Sequence, residues 1–268
     1  MSNKFSDIGI SAPLVKALSA LKILEPTEIQ SKVIPLLLAN TTDLVGLAKT
    51  GTGKTAAFGL PLLQLMDTTS TKVQAVILAP TRELGHQIFS NLEAFAQYLP
   101  EVSIAATCGG IPIKPQIERL ASTTHIIVAT PGRLIDLIQR KAVDLKETQF
   151  LVLDEADEMV SILKESLDEI IKELPANHKT LLFSATLPGT IKQLIQNYLH
   201  KNAVQVSANM ETVGNQGIDH HYIVVDPIEK LDVLMHFLNS KEGERGIIFC
   251  KTKAAVNKLA KNLAINRF

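Results

Sequence analysis

The feature that most constrains the fold of this chain is a regular alternation of short apolar runs with longer amphipathic stretches. The apolar runs have the length of buried strands and lie at 43–48, 73–79, 102–107, 125–129, 150–154 and 179–184. Helical periodicity marks the stretches between them, such as 56–66, 82–98, 133–140 and 157–174. This alternation predicts an α/β fold with a parallel sheet and helices on both faces. Ligands of such folds bind at the carboxyl ends of the strands.

A second alternating series follows a polar, glycine-containing segment at 207–217, which we interpret as a linker. The series predicts strands at 218–225 and 246–250 and helices at 226–239 and 253–263. Two strands and two helices cannot bury both faces of a sheet, so we expect an incomplete second α/β domain. The expected organisation is an N-terminal region, a complete domain, the linker and the incomplete domain, at 1–31, 32–206, 207–217 and 218–268.

The charge balance argues against a protein that holds nucleic acid by basicity alone. Lys plus Arg equals Asp plus Glu, 27 against 27, so no net field attracts a polyanion or a membrane surface. The balance remains compatible with a protein that contacts a few phosphates through backbone N–H groups and selected arginines.

Cysteine usage and hydropathy predict a cytoplasmic protein without a membrane partner. Cys108 and Cys250 are far apart in sequence and fit neither a disulfide framework nor a zinc motif. The N-terminal residues lack the apolar stretch of a signal peptide, and the longest apolar run, 34–39, is too short to cross a bilayer.

A glycine-rich loop follows the first apolar run and precedes an apolar helical stretch. Backbone N–H groups of such a loop form a nest for phosphate oxygens. Lys54 is expected to reach the β- and γ-phosphates of a nucleotide, and the Thr55 hydroxyl to bind Mg²⁺. The strict motif has glycine where this chain has Ala48, and a plain glycine turn is the alternative. The residues expected to hold the nucleotide here are Ala48, Lys49, Thr50, Gly51, Thr52, Gly53, Lys54 and Thr55.

A carboxylate pair, Asp154 and Glu155, ends the fifth apolar run. Acids at the end of a buried strand require a cation or a partner, because burying a lone charge is costly. Asp154 suits an Mg²⁺ ligand, and Glu155 can orient or deprotonate an attacking water. The alternative is that both acids only cap the helix that begins here.

These residues identify the resemblance of the whole chain to a known family. The sequence Asp154-Glu155-Ala156-Asp157 is the signature of the DEAD-box RNA helicases. Further segments resemble that family's motifs in the same order: 80–87, with Gly85 where alanine is usual, then 109–110, 130–133, 184–186 and 247–252. The resemblance implies a RecA-like P-loop fold that binds ATP with Mg²⁺ and contacts RNA.

The resemblance also assigns roles to residues after the strands. Asp157 is expected to bond a hydroxyl of Ser184 or Thr186 and so to couple the nucleotide site to RNA; a plain strand end is the alternative for 184–186. One RNA strand is expected to run along Pro80, Thr81, Arg82, Gly110, Thr130, Gly132 and Arg133. These contacts are blind to base sequence, and ordinary surface charge is the alternative for Arg82 and Arg133.

The N-terminal region resembles the family's adenine-recognition motif. Gln30 carries a donor and an acceptor, so its amide can pair with N6 and N7 of adenine. Phe5 is expected to stack on the base, with core packing as the alternative. Lys22 stands where the family usually has glycine.

The sequence therefore predicts an ATP-dependent RNA helicase core that hydrolyses ATP by attack of water on the γ-phosphate. A DNA helicase or another P-loop ATPase is one rival, and a hydrolysis-deficient form that binds RNA or a helicase partner is another. In the family, the arginines that stabilise transition-state charge lie in a motif beyond position 268, so we expect weak ATP binding and very slow hydrolysis from this chain. We also expect a monomer.

Overall fold

A computed structural model of the chain describes residues 4–39, 42–208, 219, 221–241, 243–266 and 268; at 160–165 it describes the backbone alone. The chain divides into two compact units, Met1–Val213 and Gly214–Phe268, which we treat separately. The expected linker is described only at Ser207 and Ala208, and its remaining residues lie outside the described ones.

The described part of the first unit contains one sheet of seven strands, all of them parallel. The strands are β1 (Leu44–Leu47), β2 (Ala75–Leu78), β3 (Ile104–Thr107), β4 (Ile126–Ala129), β5 (Phe150–Leu153), β6 (Lys179–Ser184) and β7 (Val204–Ser207). Their spatial order is β3-β4-β2-β5-β6-β1-β7. The predicted parallel α/β fold is confirmed, with β7 as an additional edge strand that the hydrophobic pattern did not show.

Helices cover both faces of this sheet. They are α1 (Ala12–Ala20), α2 (Glu28–Leu38), α3 (Lys54–Leu65), α4 (Arg82–Phe95), α5 (Lys114–Leu120), α6 (Pro131–Gln139), α7 (Ala156–Lys172) and α8 (Gly189–Tyr198). Successive strand residues point to opposite faces. Ile77 and Val152 therefore pack in a core with α1 to α4, whereas Val76 and Leu153 pack in a second core with α6 to α8.

The second unit has two described helices, α9 (Lys230–Ser240) and α10 (Lys253–Ile265), near the predicted positions. The predicted strands are not observed: the described residues 221–226 and 244–250 form no ladder. Strands are stable only as part of a sheet, and a lone pair is marginal in water. The side chains of Tyr222 and Phe249 are accordingly 90% and 91% exposed.

Candidate functional site

The order of the strands divides the carboxyl edge of the sheet into two halves. All strands are parallel, so the segments that follow them lie at the same edge. The neighbours β5, β6 and β1 lead into the residues expected to handle the nucleotide. The neighbours β3, β4 and β2 lead into those expected to contact RNA. The halves meet where β2 pairs with β5.

The glycine-rich loop at 48–55, which we call the phosphate loop, joins β1 to the first turn of α3. Gly51 and Gly53 have φ of +84° and +91°, a left-handed conformation that favours glycine. The Ala48 amide donates to the Ser184 carbonyl at 3.0 Å, so the loop starts beside the end of β6. Within the loop, the Thr52 hydroxyl donates to the Lys49 carbonyl at 2.7 Å.

Lys54, at the first position of α3, has a buried ammonium group. Its side chain is 4% exposed and its Nζ lies 2.8 Å from Glu155 Oε2. The contact is an ion pair without hydrogen-bond geometry, so among the described residues Nζ has no aligned acceptor. A buried ammonium group in this state is suited to receive a phosphate oxygen.

The carboxylate pair lies against this ammonium group. Glu155 has φ of +50° and accepts a bond from Thr50 Oγ1 at 3.0 Å in addition to its contact with Lys54. Its side chain makes no capping bond to α7, so helix capping does not account for it. Loss of hydration raises the pKa of Asp154 to about 6; the Lys54 charge opposes this rise and the Glu155 charge adds to it.

Asp157 connects the ends of β5 and β6. Its Oδ2 accepts bonds from the Thr186 hydroxyl at 2.7 Å and from the Thr186 amide at 3.2 Å. The Ser184 hydroxyl instead donates to the Thr186 carbonyl at 2.7 Å. Of the two candidate hydroxyls, Thr186 is therefore the one that reaches Asp157.

Gln30 reaches the phosphate loop from α2. Its Oε1 accepts from the Thr27 amide at 2.9 Å, and its Nε2 donates to the Gly53 carbonyl at 3.0 Å. The Thr27 hydroxyl adds a bond to the Thr52 carbonyl at 2.9 Å. Thr27 was not among the predicted site residues, although Thr27-x-x-Gln30 has the spacing of a capping box.

Phe5 does not lie where the sequence predicted. Its side chain is 2% exposed and belongs to the core formed with α1 and α2. Hydrophobic packing of the short 3₁₀ helix Phe5–Ile8 outweighs exposure of the ring, so both ring faces are covered. The cavity beside the phosphate loop, about 420 Å³, is instead lined by Leu21 and Ile23 next to Gln30.

The loop after β2 begins the half of the edge whose residues are expected to contact RNA. Thr81 caps α4, its Oγ1 accepting from the Leu84 amide at 3.3 Å, with Pro80 directly before it. The guanidinium group of Arg82 lies across the backbone of Gly110, whose φ is +81°. A Cβ atom at Gly110 would be 1.6 Å from Arg82 Nη1, so the glycine makes room for this side chain.

The loops after β3 and β4 are joined by side-chain bonds. The Thr130 hydroxyl accepts from the Gly109 amide at 3.2 Å. Arg133 donates from Nη1 to Gln116 Oε1 and from Nη2 to the Ile111 carbonyl, both at 2.8 Å. Gly132 lies in the first turn of α6, where backbone N–H groups have no partner within the helix. Gln116 carries no motif signal, and sequence reasoning missed it.

Among the residues that the structure describes, no helix is both long and apolar enough to cross a membrane.

Comparison with solved structures shows the same fold. A DEAD box protein from Methanococcus jannaschii is 34% identical, with a TM-score of 0.72 over 99% of this chain and 71% of its own. Saccharomyces cerevisiae Dbp5 bound to RNA and ADP-BeF₃ is 29% identical, with a TM-score of 0.87 over 99% of this chain and 67% of its own.

Comparison with curated proteins gives relatives that match almost the whole of this chain. The DEAD-box ATP-dependent RNA helicase CshA of Streptococcus pneumoniae is 40% identical over 266 residues, 99% of this chain and 50% of the relative. CshA of Bacillus subtilis is 38% identical over 270 residues, 100% of this chain and 54% of the relative. The chain thus spans about half the length of these relatives. The DEAD/DEAH box helicase family model matches residues 27–194. The chain belongs to the DEAD/DEAH box helicase family.

Proposed function

We propose that this chain is the ATP-binding core of an ATP-dependent RNA helicase, which couples hydrolysis to remodelling of RNA duplexes or RNA–protein complexes. The division of one sheet edge into a nucleotide half and an RNA half carries the proposal. Asp157 and Thr186 lie in the nucleotide half, after β5 and β6, and β5 is also the strand that borders the RNA half. A monomeric state and a cytoplasmic location remain predictions of the sequence.

Binding of ATP exchanges the partner of Lys54. In the structure its ammonium group contacts Glu155, which also holds Thr50. A phosphate offers more negative charge and better-placed acceptors than one carboxylate, so Lys54 turns to it. Glu155 is then released to orient the water that attacks the γ-phosphate.

The residues present fit a magnesium ion carried with the nucleotide. A buried carboxylate whose pKa is raised by lost hydration is stabilised by an adjacent cation, which describes Asp154. Thr55, in the first turn of α3, would supply a hydroxyl oxygen. When bound, the ion neutralises phosphate charge that develops during hydrolysis.

Gln30 is proposed to select adenine. Its amide uses one acceptor site on Thr27 and one donor on Gly53, which leaves one of each for a base. Adenine offers N6 as a donor and N7 as an acceptor, whereas guanine places an acceptor where the amide oxygen lies. Leu21 and Ile23 supply the apolar surface beside the base.

The selectivity test compares ATP and GTP. Unmodified chain should bind ATP about tenfold more tightly, because an unmet pairing costs about 1–3 kcal/mol. Gln30→Ala should weaken ATP binding more than GTP binding, because both nucleotides lose the bond that supports the Gly53 carbonyl and only ATP also loses its base pairing. Equal affinities of the unmodified chain for both nucleotides would remove Gln30 from base selection.

The test of the whole proposal is steady-state ATP hydrolysis with single-stranded RNA or DNA. This chain alone and a chimera that joins it to the C-terminal half of B. subtilis CshA would be compared. The chimera should be stimulated by RNA and little by DNA, because the 2′-OH distinguishes the two. Equal stimulation by DNA would favour a DNA helicase, and RNA binding without turnover in the chimera would favour a hydrolysis-deficient form.

A further inference from the structure

The turn after β3 is tied to a buried glutamine that no motif predicts. Gln116, in the first turn of α5, is 5% exposed. Its Nε2 donates to the Cys108 carbonyl at 2.9 Å, and its Oε1 accepts from Arg133 Nη1 at 2.8 Å. We propose that Gln116 is a positioning residue that holds the Gly109–Gly110 turn in the conformation that binds RNA phosphate. The role in RNA binding rests on the proposed function.

Because it is buried, Gln116 effectively links the loop after β3 to the loop after β4. An amide that loses its partners inside a protein keeps the full cost of its lost hydration. A shift of the Cys108 carbonyl would leave Nε2 unpaired, and a shift of Arg133 would leave Oε1 unpaired. Gln116 therefore couples the position of the turn after β3 to the position of α6, which carries Arg133.

Arg133 supports the same turn directly. Its planar guanidinium group holds Gln116 with Nη1 and the Ile111 carbonyl with Nη2, both at 2.8 Å. A rigid fork that satisfies two acceptors at once fixes their separation. Arg133 thus stabilises the turn through its bonds to Gln116 and to the Ile111 carbonyl. This role is additional to any contact of its charge with RNA.

Two further contacts show that the turn is braced from both sides. On the β4 side, the Gly109 amide donates to Thr130 Oγ1 at 3.2 Å. On the α4 side, the Arg82 guanidinium group fills the space beside Gly110. Turn N–H groups bind phosphate well only when they are already oriented, because ordering them during binding costs affinity. Gln116 is the buried member of this set.

The experiment replaces Gln116 with methionine, which keeps the length of the side chain and removes both hydrogen bonds. Gln74 supplies a matched control: it is 2% exposed and exchanges two bonds of 2.8 Å with the backbone of Asp67, before β2 at the opposite edge of the sheet. For each variant we would measure hydrogen exchange of the Gly109 amide, which donates to Thr130 Oγ1. Affinity for fluorescent single-stranded oligouridine RNA, affinity for ATP and the free energy of unfolding would be measured as well.

Gln116→Met should speed exchange of the Gly109 amide, whose bond to Thr130 Oγ1 depends on the position of the turn, and weaken RNA binding, each about tenfold. It should leave ATP affinity within about twofold. Both variants should lower the free energy of unfolding to a similar degree, since each loses two buried hydrogen bonds. Gln74→Met should change neither exchange of the Gly109 amide nor RNA affinity. Unchanged exchange of the Gly109 amide, or faster exchange with unchanged RNA affinity, would overturn the positioning role.

A second variant separates the two bonds. Gln116→Glu keeps an acceptor for Arg133 and loses the donor for Cys108, so it should speed exchange at the turn while preserving the contact with Arg133. If Arg133 acts through Gln116, Arg133→Lys should weaken RNA binding in the unmodified chain and much less in the Gln116→Met background. Fully additive losses would contradict this coupling.

The experiment distinguishes failure of the proposed RNA helicase function from failure of the proposed role of Gln116. If the unmodified chain binds no RNA, alone or in the chimera with CshA, the RNA helicase proposal is rejected together with the RNA role of Gln116. Loss of RNA binding confined to Gln116→Met, with the Gln74→Met control intact, rejects neither.

Discussion

At the scale of single residues, the departure from the family pattern at Lys22 has a structural consequence. Lys22 follows α1 with φ of +60°, and the Ile23 amide donates to the Leu18 carbonyl at 2.9 Å. This is a Schellman helix end, whose left-handed residue is usually glycine. A lysine there is strained, and it lies between Leu21 and Ile23, which line the cavity beside the phosphate loop.

Lys22→Gly should therefore raise the free energy of unfolding by about 1 kcal/mol, because glycine adopts the left-handed conformation without steric strain. Lys22→Ala is the control and should bring no comparable gain, since alanine keeps the Cβ atom. Chemical denaturation measures both. A gain from alanine as large as that from glycine would show that the charge of Lys22, and not its backbone, is responsible.

Asp154 makes stability depend on pH in the absence of nucleotide. Its pKa in the fold is about 6, above the ordinary aspartate value of 3.8. The folded chain therefore holds this proton more tightly than the unfolded chain. The stabilising contribution is complete below about pH 4 and is lost as pH rises through 6.

Asp154→Asn should consequently stabilise the metal-free chain at pH 7, by at most about 3 kcal/mol, and bring little gain near pH 4. Denaturation with chelator present at both pH values tests this, with Asp144→Asn as a control at an exposed carboxylate. The same gain at both pH values would show that burial of the Asp154 charge is not its source.

At the scale of elements, the first turn of α6 offers a direct test of the RNA path. A Cβ atom at Gly132 would meet no atom within 4 Å, so packing does not require glycine there. A phosphate that approaches the backbone would require it.

Gly132→Ala should leave the free energy of unfolding equal or slightly higher, since alanine is the better helix former, and weaken RNA binding about tenfold. Gly189 is the matched control, because it also lies at the start of a helix with no atom within 4 Å of an added Cβ. Binding of labelled single-stranded RNA is the measurement. Equal RNA affinities of the two variants would place the RNA elsewhere.

How much of the fold the sequence could predict depends on the range of the interactions involved. The strands β1 to β6 follow from local hydrophobic patterns, and the phosphate loop and carboxylates from local motifs. The strand order that divides the edge into two halves depends on packing between distant segments. The same holds for Gln116, whose partners Cys108 and Arg133 come from two different loops. Phe5 shows the converse error, since an exposed role was expected where burial was more favourable.

At the scale of the whole molecule, the residues proposed to handle the nucleotide and those proposed to contact RNA occupy adjoining parts of one sheet edge. We therefore expect a shift of Asp154 or Glu155, after β5, to be transmitted to the loop after β2, because all four residues of β2 pair with β5. We propose that the buried Lys54 ammonium group at this edge binds the phosphates of ATP.

Titration of this chain with ATP in Mg²⁺ tests this role of Lys54 most directly. The unmodified chain and Glu155→Gln should each bind one ATP, because Glu155 acts on the attacking water and not on the ground-state phosphates. Lys54→Ala, shown to be folded by its denaturation curve, should bind none measurably. A folded Lys54→Ala variant that binds ATP as tightly as the unmodified chain would contradict the account.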